Sequence, residues 1–251
     1  FCLQNGDSCG RLPVKGGGEM DIVYADERIV VAVKPAGVIA TDTRGGMPER
    51  LRQALGTACV RTVHRLDAPV SGLMVCARSA YAAGELSRQI REGQFEKEYL
   101  AVVRGVTEES GTLVHILKKD GRTNTSAVVS EGTAGGKQAR LSYERLAASD
   151  NNSLVRIHLD TGRHHQIRVQ FAAIGHPLVG DAKYGGGSVT EKASDTGKAG
   201  RWNGTGGAQG GQPLALCSCR LEFVHPSTGK TMEFHMTPTG EGFLEWKEAL
   251  G

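Results

Sequence analysis

VHRLDAPVSGLMV, residues 63–75, joins a polar turn to an apolar strand. His64 and Arg65 place a base and a cation before Asp67, and Pro69 interrupts the chain before the apolar run. An Asp on such a turn lies at the edge of a sheet. Its carboxylate then either caps a neighbouring backbone N–H, which is the commoner role of an isolated turn Asp, or faces a cleft. This stretch alone leaves both roles open.

The composition sets wide limits on what the protein can be. The chain has 251 residues, enough for one large domain or two small ones. Its hydrophobic content of 39% supports a sizeable core, and no apolar run has the length of a membrane span. The net charge of +3 permits a nucleic-acid partner without requiring one. No secretory signal opens the sequence, so we expect a cytoplasmic protein that acts as a monomer.

The six cysteines show no paired C-x-x-C spacing and no disulfide-scaffold density. Cys217 and Cys219 would share one face of a strand and could bind a metal ion, but no second pair of ligands accompanies them. We therefore predict a reduced protein without a metal site.

Two segments stand apart from one domain over residues 20–251. Residues 1–19 are glycine-rich and aperiodic, which predicts a disordered leader. Met20 follows a run whose codons must be purine-rich, like a bacterial ribosome-binding site, so we hypothesise that translation starts there. Residues 185–212 hold ten glycines in 28 positions, which predicts a flexible insertion. No G-x-x-x-x-G-K-[ST] motif occurs in it, so no nucleotide cofactor is expected.

The hydrophobic pattern predicts many short strands and few helices. Helices are expected at 47–55, 79–90, 166–174 and 242–250, with Ser79 capping the second. The connections between the mid-chain strands are too short for helical crossovers, so these strands should pair antiparallel. Strands are expected at 22–25, 29–33, 73–77, 96–103, 112–117, 126–129, 139–147, 154–159, 214–217, 220–224 and 231–235.

Three segments combine turn residues with groups that can do chemistry. They are HRLD at 64–67, KEYL at 97–100 and GRHHQIR at 162–168, the last followed by Gly-His-Pro and Gly-Asp. The third segment places cations and histidines at the start of a helix, where unpaired N–H groups already favour an anion.

Several enzyme classes fit the sequence poorly. The HRLD segment is similar to a kinase catalytic loop, but the residue order differs and neither Asp-Phe-Gly nor a glycine-rich ATP loop is present. No G-x-S-x-G elbow supports a serine hydrolase. A glycosidase with two carboxylates stays open, although nothing pairs a second acid with Asp67.

Taken together and in this order, the three segments resemble the pseudouridine synthases that act on uridines of large-subunit rRNA and tRNA, the RluA family. The resemblance extends from about Met20 to Trp246 and includes an opening Lys-Pro-Ala-Gly at residues 34–37. Two residues depart from the family pattern: Val70 stands where Thr is common, and Cys217 where His is common. With only 19 residues before Met20, we expect no S4-type RNA-binding domain there. These departures bear on the choice of substrate more than on activity.

The resemblance implies an α+β fold with a single mixed, largely antiparallel bisected sheet flanked by helices. It implies a catalytic domain over residues 20–251 that isomerises uridines in rRNA or tRNA without a cofactor. Asp67 would be the nucleophile, Arg168 the cation that keeps it ionised, and Tyr99 the platform on which a flipped base stacks.

RNA contacts are expected from residues around these three. Arg65 would support the flipped nucleotide, while Arg163, His165 and Gln166 would orient the turn or contact RNA. His64 is expected to form a structural hydrogen bond beside the substrate. An inactive RNA-binding or ribosome-assembly factor and an Asp-dependent hydrolase are the alternatives. Phosphate contacts are expected from Arg88, Arg91, Lys118, Lys119, Arg122 and Arg163.

Overall fold

The computed structural model describes residues 21–185 and 212–250. The predicted leader, and all of the predicted glycine-rich insertion except its end residues, lie outside the described residues. The described residues form eleven strands: β1 (Asp21–Ala25), β2 (Ile29–Lys34), β3 (Arg61–Thr62), β4 (Ser71–Ala77), β5 (Glu96–Arg104), β6 (Ser110–Asp120), β7 (Thr125–Val129), β8 (Lys137–Ala148), β9 (Asn152–Leu159), β10 (Leu216–Val224) and β11 (Thr231–His235). Three α-helices accompany them in the described chain: α1 (Met47–Leu55), α2 (Ala80–Glu92) and α3 (Gln166–Ala173).

The chain divides into two compact units. The first unit contains the described residues up to Tyr99 together with Cys217–Pro238, and the second contains Leu100–Leu216 and the C-terminal residues from Thr239. The boundary falls within β5 and at the start of β10, so neither strand belongs wholly to one unit.

In the first unit, β4 is the central strand. It pairs antiparallel with β2 along its whole length, from Ile29 opposite Ala77 to Lys34 opposite Gly72. Its other edge is shared, because β10 pairs parallel with residues 71–72 and β3 pairs antiparallel with residues 76–77. Strand β1 extends the sheet beyond β2, and β11 pairs with β10.

Helix α2 covers the core of the first unit. Its Leu86 packs with apolar side chains of β2, β4 and β10, such as Val31, Val75 and Phe223. Ser79 caps the helix by accepting a hydrogen bond from the Ala82 N–H, and Gly93 ends it in the left-handed conformation. The Ser79 cap was predicted from the sequence.

The second unit is an antiparallel meander with one helix on it. Its part of β5 is followed by the strand order β9-β8-β6-β7. Helix α3 packs through Val169 on Leu117 and Ala139, and the Gln170 amide donates to the carbonyls of Leu113 and Ala139. The mixed, mainly antiparallel strand pairing with few helices confirms the predicted α+β class.

The structure differs from the prediction in three places. Residues 214–217 and 220–224 were predicted as separate strands, but β10 runs unbroken because Ser218 and Cys219 are buried within it. The two-residue strand β3 was missed, since it is too short to show a period. The last helix is a 3-10 helix over Glu241–Trp246, whose buried Phe243 and Trp246 lie three residues apart, as three residues per turn requires.

Gly72 permits the close approach of β10 to β4. Its φ is +122°, and a Cβ there would lie 2.4 Å from the carbonyl oxygen of Ser218. Both the backbone conformation and the neighbouring backbone therefore exclude a side chain.

We expect Gly72→Ala to lower the free energy of unfolding by about 2–4 kcal/mol, because it adds backbone strain and a clash with β10. Gly84→Ala is the matched control: it lies inside α2 with nothing within 4 Å of a new Cβ, so it should stabilise by about 0.5–1 kcal/mol. Urea unfolding of both variants measures the difference. Equal effects would contradict this account of Gly72.

Candidate active site

Asp67 lies on the loop between β3 and β4, in the first unit. The two apolar residues around it, Leu66 and Val70, are buried and anchor the loop to the core. The Val70 N–H donates to the Asp67 carbonyl over 3.0 Å, which closes a turn. Asp67 itself is half-buried. The turn is thus held by buried residues on both sides of Asp67.

His64 contacts the edge of β4 that is left unpaired between β10 and β3. Its Nε2 accepts a hydrogen bond from the Val75 N–H over 3.1 Å, in the part of β4 that pairs with neither of those strands. The ring contacts Phe95, with the centroids 5.4 Å apart. Burial, and next to it the charge of Lys97, lower the pKa of His64 to about 3, so the imidazole is neutral. This geometry agrees with the structural hydrogen bond expected of His64.

Lys34 was not among the predicted site residues, yet it holds the Asp67 loop in place. Its side chain is fully buried, and Nζ donates to the carbonyl oxygens of Pro35, Val38 and Ala68 at 2.8–3.0 Å. The Gly37 N–H also donates to Ala68, over 2.7 Å. The end of β2 is thereby tied to the residue that follows Asp67.

The ionisation of Lys34 reflects two opposing effects. Burial lowers its pKa to about 8, while the negative charge of Asp67 raises it. Lys34 could have been suspected from the sequence, because a Lys at the end of a buried strand is uncommon. Its three carbonyl partners depend on the tertiary fold and leave no sequence pattern.

Tyr99 lies at the boundary end of the first unit and is 6% exposed. Burial, followed by the charge of Asp67, raises the pKa of its phenol, so the group is protonated at neutral pH. Asp67 therefore acts electrostatically on both Tyr99 and Lys34. The structure brings the predicted residues His64, Asp67 and Tyr99 into one region of this unit.

Arg168 lies on α3, in the second unit, and is 4% exposed. It forms a bidentate pair with Asp181, with Nε–Oδ2 and Nη2–Oδ1 both 2.7 Å. Its guanidinium also lies over the ring of Tyr184, 5.1 Å from the centroid. Asp181 in turn accepts from the N–H groups of Lys183 and Tyr184. The predicted pairing of Arg168 with Asp67 spans the two units and stays a prediction.

The histidines before α3 belong to the same buried network. His165 has a left-handed φ of +54°, and its Nδ1 lies 2.7 Å from the hydroxyl of Tyr184. His164 stacks on His165 at 3.8 Å, and its Nδ1 lies 2.9 Å from the Ser126 hydroxyl. Asp181 and Tyr184 were missed as site residues, although a Gly-Asp after the Arg168 helix was noted in the sequence.

The remaining predicted RNA contacts differ in exposure. Arg65 and Arg163 are exposed, with Arg163 Nε donating to the Gln138 carbonyl. Gln166 is 3% exposed, and its amide oxygen accepts from the Thr161 hydroxyl and the Arg163 N–H. Gln166 thus holds the turn before α3, one of the two roles expected of it.

Within the described residues, no group of three or more His, Cys, Asp or Glu side chains could hold a metal ion. Cys217 and Cys219 are buried, and burial raises the pKa of Cys217 to about 12. No helix in the described part of the chain is long and apolar enough to span a membrane.

The chain is similar to known proteins over most of its length. A family model described as RNA pseudouridylate synthase matches residues 28–173. The Bacillus subtilis protein YhcT, an uncharacterised RNA pseudouridine synthase, is 34% identical over 197 residues, which is 74% of this chain and 64% of that protein. The Zymomonas mobilis ribosomal large subunit pseudouridine synthase D is 31% identical over 228 residues, 86% of this chain and 68% of that protein.

A solved structure of similar fold is that of human RNA pseudouridylate synthase domain containing 1. It has a TM-score of 0.69 and 28% sequence identity, and the match covers 92% of this chain and 87% of that one. Against the curated relatives the coverage is lower: the chain spans just under two thirds of the Bacillus protein and 57% of a Neisseria meningitidis large subunit pseudouridine synthase D.

The buried pair of Arg168 and Asp181 should be important for stability. Asp181→Asn keeps the side-chain size but removes a charge partner of a buried guanidinium, which we expect to cost about 3–5 kcal/mol. The matched control is Asp160→Asn, which affects an ion pair with Arg140 whose side chains are 55% and 36% exposed. That change should cost less than about 1 kcal/mol. Chemical unfolding measures both, and equal losses would contradict the assigned role of Asp181.

Lys34 should give the free energy of unfolding a pH dependence of defined sign. Its pKa is about 8 in the folded chain and 10.5 ordinarily. Between these values the unfolded chain retains the proton that the folded chain has lost, so this group makes stability rise with pH, by up to about 3 kcal/mol. Lys34→Met removes the effect. The free energy of unfolding is measured at about pH 7.5 and about pH 10, and between them it should rise more for wild type than for Lys34→Met. An equal change in both proteins would contradict the lowered pKa of Lys34.

Proposed function

Because this chain belongs to the RNA pseudouridylate synthase family, we propose that it converts specific uridines in RNA to pseudouridine. Ribosomal RNA is the proposed substrate, since several of its relatives are named as large-subunit enzymes, and tRNA is the alternative. The observation that carries the proposal is the fixed turn with Asp67, within electrostatic range of the buried Tyr99 and Lys34. We further propose that the enzyme acts in the cytoplasm as a monomer and without a cofactor.

The reaction needs little from the protein beyond a nucleophile and correct placement. The N1–C1′ bond breaks, the uracil rotates, and a C5–C1′ bond forms. The proton on C5 is lost and N1 gains one, so atoms and charge balance without a redox partner. A carboxylate is sufficient to assist bond cleavage, and Asp67 is the group we assign to it.

Asp67 must stay ionised in a site that excludes water. Burial disfavours the charged carboxylate, whereas nearby cations favour it. Lys34 is one such cation in the same unit, and the negative charge of Asp67 raises the pKa of Lys34. By the family resemblance, Arg168 is proposed as the second, and its two bonds to Asp181 support the idea that its orientation is set in advance.

Tyr99 is proposed to stack on the extruded uracil. Such stacking contributes about 1–3 kcal/mol per base. The raised pKa of Tyr99 favours a neutral phenol. Such a phenol can relay the C5 proton only if its oxygen accepts that proton while its own hydroxyl proton leaves. Arg65 is proposed to support the flipped nucleotide, and its exposure two residues before Asp67 supports that role.

An RNA-binding or ribosome-assembly factor without activity is the alternative function. Such a factor could use the exposed arginines but would have no need of a buried Tyr99 beside the Asp67 turn. An Asp-dependent hydrolase would need a second acid at Asp67. The chemistry of the Asp67 and Tyr99 pair therefore favours the isomerase.

Replacing the nucleophile distinguishes these functions. Asp67→Asn should retain fold and RNA affinity, yet lose pseudouridine formation by at least about a thousandfold. The measurement is tritium release from an unmodified transcript of large-subunit rRNA labelled at uridine C5, since the isomerisation frees that hydrogen. Asp42→Asn, at an exposed ion pair with Arg52, is the matched control and should be as active as wild type. Activity retained in Asp67→Asn would refute the assignment.

A further inference from the structure

The first four residues of β5 present two faces of different charge. Side chains alternate along a strand, so Lys97 and Tyr99 lie on one face while Glu96 and Glu98 lie on the other. Lys97 precedes Tyr99 by two residues, about 7 Å along the strand. A nucleotide whose base stacks on Tyr99 would have its neighbouring sugar-phosphate within reach of a lysine side chain.

The face that carries Glu96 and Glu98 is acidic. Arg220 of β10 contacts both of these carboxylates at 3.2 Å and also pairs with Glu222 and Glu233. Four carboxylates thus surround one guanidinium. An RNA backbone is repelled from such a surface. A phosphate would instead approach the opposite face, where Phe95 and Tyr99 are buried and Lys97 is half-buried.

Lys97 differs from the paired cations of the same unit. Arg52 and Arg88 are each held by carboxylates, whereas Lys97 has no hydrogen bond or ion pair to any residue that the structure describes. Its ammonium lies 5.8 Å from the ring centroid of Phe95, and the side chain is half-buried. Burial lowers its pKa, which means that its charge lacks a compensating anion.

A second hydrogen-bond donor, on His64, lies beside the Phe95 ring. Since His64 Nε2 accepts from Val75, the proton of the neutral imidazole is on Nδ1. This buried Nδ1 has no acceptor among the described residues. An N–H group and an ammonium group therefore both lie beside the Phe95 ring, and the charge of Lys97 acts on His64.

We propose that Lys97, with the Nδ1–H of His64, binds a phosphate of the RNA strand next to the nucleotide that stacks on Tyr99. The proposal rests on the proposed function, in that RNA is the ligand and Tyr99 the base platform. Such a contact holds the strand in both the ground state and the transition state. Its loss should therefore raise KM and leave kcat unchanged.

The test compares three variants: Lys97→Met, Lys97→Arg and Lys247→Met, the last at an exposed lysine of the C-terminal segment. Binding to an unmodified transcript of large-subunit rRNA is measured by fluorescence anisotropy across a series of salt concentrations. Each phosphate contact contributes about 0.7–0.9 to the slope of log affinity against log salt. Lys97→Met should lose that amount, while Lys97→Arg and Lys247→Met should keep the wild-type slope.

Other results would overturn the proposal. An unchanged slope in Lys97→Met, or a fall in kcat at unchanged KM, would mean that Lys97 positions Tyr99 instead of holding phosphate. Circular dichroism and thermal unfolding check that each variant is folded, and Lys97→Gln gives a second neutral variant for the same slope measurement. The slope of log affinity against log salt is measured by binding and needs no turnover. If wild type released no tritium, the proposed function would be refuted, but the binding test of Lys97 would still give a result.

Discussion

The Asp67 turn depends on a buried ammonium group. Lys34 Nζ donates to three backbone carbonyls. Those of Pro35 and Val38 lie one and four residues away, and that of Ala68 lies 34 residues away. Removing such a cation from water costs several kcal/mol. The three charge-assisted bonds, each contributing about 1.5–3 kcal/mol, offset only part of that cost, since the pKa of Lys34 stays lowered. The long-range bond, together with the bond from the Gly37 N–H to the same carbonyl, links the end of β2 to the turn. The loop that carries the proposed nucleophile is thereby hydrogen-bonded to the end of a strand.

The second unit solves a similar problem with a network of side chains. Arg168 has both a bidentate carboxylate, Asp181, and the aromatic face of Tyr184 around it. The Tyr184 hydroxyl is fixed in turn by the Ser126 N–H and by His165. These contacts hold the Arg168 side chain in one rotamer, so its positive charge has a fixed position and orientation. His165 adopts a left-handed backbone conformation within this network, and its bond to the Tyr184 hydroxyl holds the side chain in place.

Local signals predicted the helices and most strands. Met47–Leu55 and the helix after Ser79 were found because capping residues and left-handed glycines act within one turn of chain. Lys34 was assigned only to a turn, since its Ala68 partner cannot be seen from nearby residues. Asp181 was noted without a role, because its pairing with Arg168 is set by how α3 folds back. The residue types of the site were legible in the sequence, but the contacts that orient them were not.

Charge is where the sequence was least informative. A cation on a predicted helix face looks available to RNA, yet Arg88 is held by Glu85 and Glu92, one turn away on each side. Such pairs neutralise a side chain without changing its position on the surface. Lys97 looks in sequence like part of an acidic strand, between Glu96 and Glu98, and strand alternation sends those neighbours to the opposite face. Whether a cation can bind a phosphate therefore depends on its ion pairs and on the face of the strand or helix that carries it, more than on the number of charges. Both are properties of the fold.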